Sequence, residues 1–230
     1  MILSAGEALI DMLPRETTAG EAAFAPHAGG SVFNTAIALG RLGAPSAFFT
    51  GLSTDLFGSV LYDALAASNV DATLAPRSDS PTTQAFVTLT DGQARYAFYD
   101  ENTAGRMLTP DDLPTLPDDV TACFFGGISL MVEPCATAYA ALLEREAASR
   151  VIMLDPNIRP SFNRDEAAYR DRITRLIALS DIVKLSDEDL AWLEGEDDID
   201  TAAARLTQRG PRLLCITEGA KGARGVTARG

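Results

Sequence analysis

The sequence contains one histidine, His27, one tryptophan, and three widely separated cysteines, Cys123, Cys135 and Cys215. A single histidine leaves zinc-hydrolase and serine-triad chemistry with little to work with. The cysteines form neither a disulfide framework nor a Cys-x-x-Cys metal site, so buried free thiols in a reducing cytoplasm are expected. No apolar run approaches the roughly 18 residues of a membrane helix. The N-terminal stretch from Met1 to Asp11 has no basic region and meets acids early, so it does not read as a signal peptide, and the chain is expected to be cytoplasmic. No GxxxxGK[ST] loop occurs, nor a GxGxxG that opens a helix after a strand, which sets aside P-loop NTPases and typical dinucleotide dehydrogenases. Positive charge is scarce: Lys and Arg total 19 against 32 Asp and Glu, a net charge of −13. Such a surface favours solubility and disfavours nucleic acid and anionic lipid as partners. An anionic ligand would need cations and backbone amides gathered locally.

At 230 residues, 47% of them apolar, the chain can bury the core of one large α/β domain. Short apolar runs at Ile2–Ala5, Ser46–Gly51, Ala122–Gly126, Val151–Asp155, Ile182–Leu185 and Leu213–Thr217 read as strands, several of them covered on both faces. Amphipathic segments lie between them. In Asp55–Asn69, Phe57, Val60, Leu61, Ala64 and Leu65 share one stripe, with Asp55 as N-cap and Asn69 as stop. Pro134–Ala147 repeats the pattern. This alternation predicts a mainly parallel sheet between helices, with ligands at the carboxyl ends of its strands. One region departs from it. Thr82–Thr90 and Gln93–Tyr99 are β-like runs joined by Asp91-Gly92, a hairpin signal, and Ala22–Ala28 is a further strand for the same accessory sheet.

Residues able to do chemistry follow the strands. Asp11 can accept hydrogen bonds from two hydroxyls of a polyol, or be a solvated loop acid. In His27-Ala28-Gly29-Gly30-Ser31-Val32-Phe33-Asn34, two glycines let backbone amides approach a ligand and open into a helix whose first turn carries Asn34. Asp155-Pro156-Asn157-Ile158-Arg159 offers a cation for an anionic group and a polar amide near it, or an Asx turn before a helix. In Lys184-Leu185-Ser186-Asp187-Glu188-Asp189, Ser186 is a good N-cap, and a carboxylate there can also hold hydrated Mg²⁺. Thr217-Glu218-Gly219-Ala220-Lys221-Gly222 permits a tight turn with amides facing a phosphate.

In this order the pieces resemble the ribokinase/PfkB family of carbohydrate kinases, along the whole chain. The most specific part is Gly29-Gly30…Asn34…Gly40, continued by Gly51 and Asp55…Gly58. The opening Gly6-Glu7-Ala8-Leu9-Ile10-Asp11 and the hairpin look most like the bacterial fructokinase branch. The resemblance implies a ribokinase-like three-layer αβα sandwich over residues 1–230, with a β-sheet lid from about 12–28 and 80–105. It places Asp11, Gly29, Gly30, Asn34, Tyr96, Phe98 and Arg159 on the sugar. It places Asn157, Ser186, Thr217, Gly219 and Gly222 at the nucleotide, ATP. Mg²⁺ is expected on Asp189 or Glu188 through water, although Ser186-Asp187-Glu188-Asp189 departs from the family's Asn-x-x-Glu at both ends.

The implied reaction is transfer of the ATP γ-phosphoryl to a primary hydroxyl of a sugar, with fructose as the first candidate. Such catalysis is positioning plus charge stabilisation, with a lid that excludes water. The family's Gly-Ala-Gly-Asp segment, which carries the catalytic base, has no counterpart in these 230 residues. The base is therefore expected beyond Gly230, and the chain by itself is expected to be nearly inactive. Two other readings stand beside this one: a non-catalytic sugar-binding module, and a kinase of a ketosugar acid of the 2-keto-3-deoxygluconate type or of a nucleoside. An open lid edge also suggests a homodimer through the lids.

Overall fold

The computed structural model describes residues 1–90, 93–195 and 198–227, and the side chains at 89, 90, 93–95 and 161 fall outside that description. The chain begins with β1 (Ile2–Ala5), β2 (Leu9–Glu16), β3 (Ala22–Gly29) and α1 (Ser31–Arg41). Then come β4 (Ser46–Phe49), β5 (Leu52–Ser53), α2 (Leu56–Ala67), β6 (Val70–Asp71) and β7 (Arg77–Ser78). Next are β8 (Gln84–Thr90), β9 (Gln93–Tyr99), β10 (Ala122–Gly126), α3 (Cys135–Glu146) and β11 (Val151–Asp155). The described chain closes with α4 (Glu166–Leu179), β12 (Ile182–Ser186), α5 (Asp187–Glu194), α6 (Ile199–Thr207), β13 (Leu213–Thr217) and β14 (Ala223–Thr227).

The main sheet runs β14-β13-β12-β11-β10-β1-β4-β6, parallel except where β14 returns antiparallel to β13. Its strands are apolar on both sides because both faces are covered. Leu3, Phe49, Phe125, Ile152 and Leu154 face α3, α4 and α6, whereas Phe48, Phe124 and Met153 face α1 and α2. Each fully buried Phe or Leu contributes about 1.5–3 kcal/mol. Tyr139 of α3 is buried beneath the sheet, and its hydroxyl pairs with Gly6 O and Thr50 Oγ1, each at 3.2 Å. The fold is thus the three-layer sandwich the alternation implied.

The second sheet has the order β3-β2-β8-β9. Gln84 pairs with Tyr99 and Phe86 with Ala97, which fixes the expected hairpin, while its Asp91-Gly92 turn lies outside the described residues. The sheet starts at Leu9, earlier than the limit of about residue 12 read from the sequence. Asp11 is consequently a strand residue and not a loop acid; Asp11, Pro14 and Arg15 break the apolar character of Leu9–Glu16, so its sequence carries no clear strand signal. Gly29 likewise ends β3, so only Gly30 stands at the start of the helix.

Burial of the thiols of Cys123 and Cys135 pushes their pKa up to about 12, so both are packing residues, whereas Cys215 is half-buried. No helix among the described residues is long and apolar enough to cross a membrane.

Asp55, which follows the short β5-β7 pair, joins the start of α2 to the root of the lid hairpin at Thr82. Its Oδ1 accepts from Gly58 N at 2.7 Å, capping α2, and from Thr82 Oγ1 at 2.6 Å; its Oδ2 accepts from Thr82 N at 2.8 Å. Partial burial raises the pKa of this carboxyl, but the bonds from Thr82 and Gly58 outweigh that, and the net shift is downward. Its stabilising contribution is therefore complete above the ordinary aspartate range and is lost as pH falls through the lowered value. Asp55→Ala should cost about 1–3 kcal/mol in urea unfolding at pH 7, with the difference from the parent shrinking as pH falls below the ordinary aspartate range.

Candidate functional site

After Ala5 the chain leaves the main sheet, runs out and back as β2 and β3, and returns through Gly30 into α1. That return requires Gly30 to take φ 112°, and a Cβ there would stand 2.7 Å from Glu7 O. Above the return lies a cavity of about 560 Å³ lined by Glu7, Leu9, Asp11, Gly30, Ser31, Asn34, Tyr96, Phe98, Ile128, Asn157 and Arg159. Asp11, Gly30, Asn34, Tyr96, Phe98, Asn157 and Arg159, separated by up to about 150 positions in sequence, thus surround one space.

Each side chain arrives by a separate local rule. On β2, Asp11 stands opposite His27 of β3 and beside Ala85 of β8, so strand alternation aims it into the cavity with Leu9. Gly29 does not line the cavity. A Cβ there would lie 2.2 Å from Asp11 Oδ2, so the missing side chain leaves room for that carboxylate. Burial raises the Asp11 pKa, partly offset by the charge of His27. Asn34 stands one turn into α1, its N–H donating to Gly30 O at 2.8 Å. Tyr96 and Phe98 stack, ring centroids 5.9 Å apart, and Phe98 also packs on Phe162 at 4.8 Å.

Asn157 takes φ 45° and donates its N–H to Asp155 Oδ1 at 3.2 Å, so the Asx turn and the cavity lining are both present. Burial raises the Asp155 pKa against the opposing charge of Lys184, 3.0 Å away. Arg159 donates to its own neighbour Ile158 O, and no carboxylate stands within ion-pair distance of it among the described residues.

Ser186, Thr217, Gly219 and Gly222 form a separate group at the carboxyl ends of β12 and β13. Ser186 is register partner to Thr217, and the glycines turn the chain into β14 with φ 55° and 102°. Asp189 is buried with both oxygens engaged: Oδ1 accepts from Ile158 N at 3.0 Å and Oδ2 from Ser186 N at 3.2 Å. Ser186 Oγ accepts from Asp189 N in return, a reciprocal capping box. A cation bound directly to Asp189 would compete with those amides, whereas Glu188 is exposed. Among the described residues no cluster of three or more His, Cys, Asp or Glu is arranged to hold a metal.

Sequence reasoning missed Glu7, Leu9, Ser31 and Ile128. Glu7 follows the end of β1, but its burial depends on Ser31 and Gly127, far from it in sequence, and Ile128 carries no polar signal.

The pfkB family of carbohydrate kinases matches over residues 1–230. The chain belongs to that family. It is 59% identical over 227 residues to a fructokinase of Rhizobium leguminosarum bv. trifolii, covering 99% of this chain and 70% of that protein. It is 34% identical over 223 residues to a fructokinase of Klebsiella pneumoniae, covering 94% of this chain and 70% of that one. Among solved structures, the Xylella fastidiosa fructokinase with bound ATP superposes with a TM-score of 0.90 at 28% identity, covering all of this chain and 75% of that one. The half-buried Asp11 carboxyl, with its raised pKa, loses stabilisation as pH rises from the ordinary aspartate value through the raised one. Asp11→Asn should therefore raise the urea midpoint at pH 7, with the gain vanishing as pH approaches about 4.

Proposed function

We propose that the 560 Å³ cavity is the sugar site of an ATP-dependent kinase that phosphorylates a primary hydroxyl, with fructose as its acceptor. The observation that carries the reading is the meeting of Asp11, Asn34 and Arg159 beneath Tyr96 and Phe98 in a single cavity between the two sheets. A carboxylate and an amide satisfy vicinal hydroxyls, and stacked aromatics cover an apolar sugar face. The fructokinases of R. leguminosarum and X. fastidiosa support the acceptor and the nucleotide.

Asp11 orients the sugar as an ionised acceptor, and Asn34 donates and accepts from the first turns of α1. Tyr96 and Phe98 on β9 exclude water that would compete for the phosphoryl group. Arg159, free of any carboxylate partner among the described residues, faces the transferring phosphoryl and offsets its charge. Ser186, Thr217, Gly219 and Gly222 hold the nucleotide where β12 and β13 end. Asn157 bridges the two regions. Mg²⁺ would be held through water by Glu188, with Asp189 serving as its structural neighbour, and would neutralise phosphate charge. The proton acceptor is assigned to the family's Gly-Ala-Gly-Asp segment, which residues 1–230 do not contain.

The lid also supports self-association. Phe24, Phe86 and Tyr99 form an edge-to-face ladder on the sheet's outer side, centroids 5.1 and 5.4 Å apart, with Phe24 47% and Tyr99 63% exposed. A second copy of the chain covers this row. Sedimentation at micromolar concentration should show a dimer that Phe24→Glu converts to monomer; a monomeric parent contradicts it.

A second reading rests on Arg159, whose unpaired guanidinium also suits the carboxylate of a ketosugar acid. Calorimetry with fructose and with a six-carbon keto acid, on the parent and on Arg159→Ala, separates the two. For the fructose reading, fructose binds, Asp11→Ala weakens it about 10- to 100-fold, and Arg159→Ala leaves fructose affinity within a few-fold. Loss of keto-acid affinity alone on Arg159→Ala supports the acid. ATP turnover at ordinary kinase rates by the 230-residue chain would place the base within residues 1–230.

A further inference from the structure

Glu7 has no part in the chemistry above, yet it is 8% exposed and places a carboxyl group at the floor of the cavity. Its Oε1 accepts from Ser31 N at 2.8 Å, Ser31 Oγ at 2.5 Å and Val32 N at 3.4 Å. Those are the first amides of α1, one turn before Asn34. Its Oε2 is buried and has no hydrogen-bond partner. The carboxyl also packs end-on against Gly127, where a Cβ would lie 2.3 Å from each oxygen.

Behind Glu7 lies a second, smaller space of about 20 Å³, lined in part by Thr83, Asp100, Arg106, Ser129 and Tyr139. These include the base of the lid. Thr83 Oγ1 donates to Thr103 Oγ1 at 2.8 Å, Thr103 Oγ1 to Asp100 O at 2.8 Å, and Arg106 pairs with the buried Asp100 at 2.9 Å. Glu7 is therefore common to the wall of the large cavity and the wall of the small one. A volume of about 10–15 Å³ is enough for one water if two or more polar groups face it. An unmatched carboxyl oxygen at such a wall carries the full cost of its desolvation.

We infer that Glu7 is a positioning residue of the sugar site. Its Oε1 fixes the first turn of α1, and hence Asn34, while its Oε2 is joined through one buried water to the lid base at Thr83, Asp100 and Arg106. The cavity floor and the lid base are then held by one side chain, and order at one is transmitted to the other. The inference rests on the large cavity being the sugar site, but the joint itself can be tested without sugar.

Amide hydrogen exchange is measured on the chain and on Glu7→Gln, Glu7→Ala and Ser31→Ala, first with no ligand. Glu7→Ala should raise exchange at residues 31–34 about 2- to 30-fold, the effect of losing a helix cap, and raise it also at 100–106, while α4 is unchanged. Glu7→Gln keeps an acceptor and a second polar atom and should stay within about twofold of the parent. Ser31→Ala should affect residues 31–34 alone. Unchanged exchange at 31–34 in Glu7→Ala overturns the inference, and a change there without one at 100–106 overturns the link to the lid base. Should Glu7→Ala fail to fold, a high-resolution crystal structure of the parent decides: one ordered water on Oε2 supports the link, and its absence overturns it. With fructose added, the parent should gain protection at both segments and Glu7→Ala at neither. If the parent binds no fructose, the sugar reading fails while the ligand-free exchange still decides the role of Glu7.

Discussion

The carboxylate of Glu7 on the opening amides of α1 is the constraint around which the cavity is built. A helix that starts inside a protein leaves its first N–H groups without partners, and here Ser31 and Val32 give theirs to a side chain from the end of β1. The arrangement ties the start of α1 to the centre of the main sheet. It also explains the backbone around it. Gly30 must be glycine, because it takes φ 112° and a Cβ would stand 2.7 Å from the backbone oxygen of Glu7, and Gly127 lacks a side chain where the carboxyl packs. The cost is a buried acid whose pKa is raised chiefly by desolvation, with the bonds from Ser31 and Val32 working against the rise.

The rest of the site follows from two departures of the chain from the main sheet. The first, between β1 and α1, lays down β2 and β3 and aims Asp11 inward. The second, between β7 and β10, adds β8 and β9 beside them and brings Tyr96 and Phe98 over the same space. Asp55 grips Thr82 at the root of that second excursion while capping α2, so the lid is anchored to the layer of helices it covers. Asp11 is thereby carried by a strand and Asn34 by the first turn of α1, while Glu7, Asn157 and Arg159 reach the cavity from the short segments that follow β1 and β11.

Much of this was legible in the sequence because apolar strands covered on both faces announce themselves. Ile2–Ala5, Ala122–Gly126, Val151–Asp155 and Leu213–Thr217 are strands with the bounds their composition indicated. Asp55 was identifiable as a cap because it precedes a clear apolar stripe. The strand at Leu9–Glu16 was not, since half of it faces a polar cavity and its alternation is broken by Asp11, Pro14 and Arg15. Asp11, Asn34, Asn157 and Arg159 stand out individually as polar groups after strands or at a helix start, but their convergence with Tyr96 and Phe98 depends on a sheet order that local pattern does not encode and that only the family resemblance implied. Glu7 shows the limit well. Nothing in its neighbours signals that it will be buried, because the burial is created by Ser31 and Gly127, far along the chain.

The central claim is that Asp11 is the sugar-orienting carboxylate of this cavity. A crystal structure of the chain with fructose tests it most directly. The predicted result is a fructose molecule beneath Tyr96 and Phe98, with two of its hydroxyls about 2.6–3.2 Å from the Asp11 carboxylate. Fructose bound in the cavity without contact to Asp11, or bound only elsewhere on the chain, would contradict it.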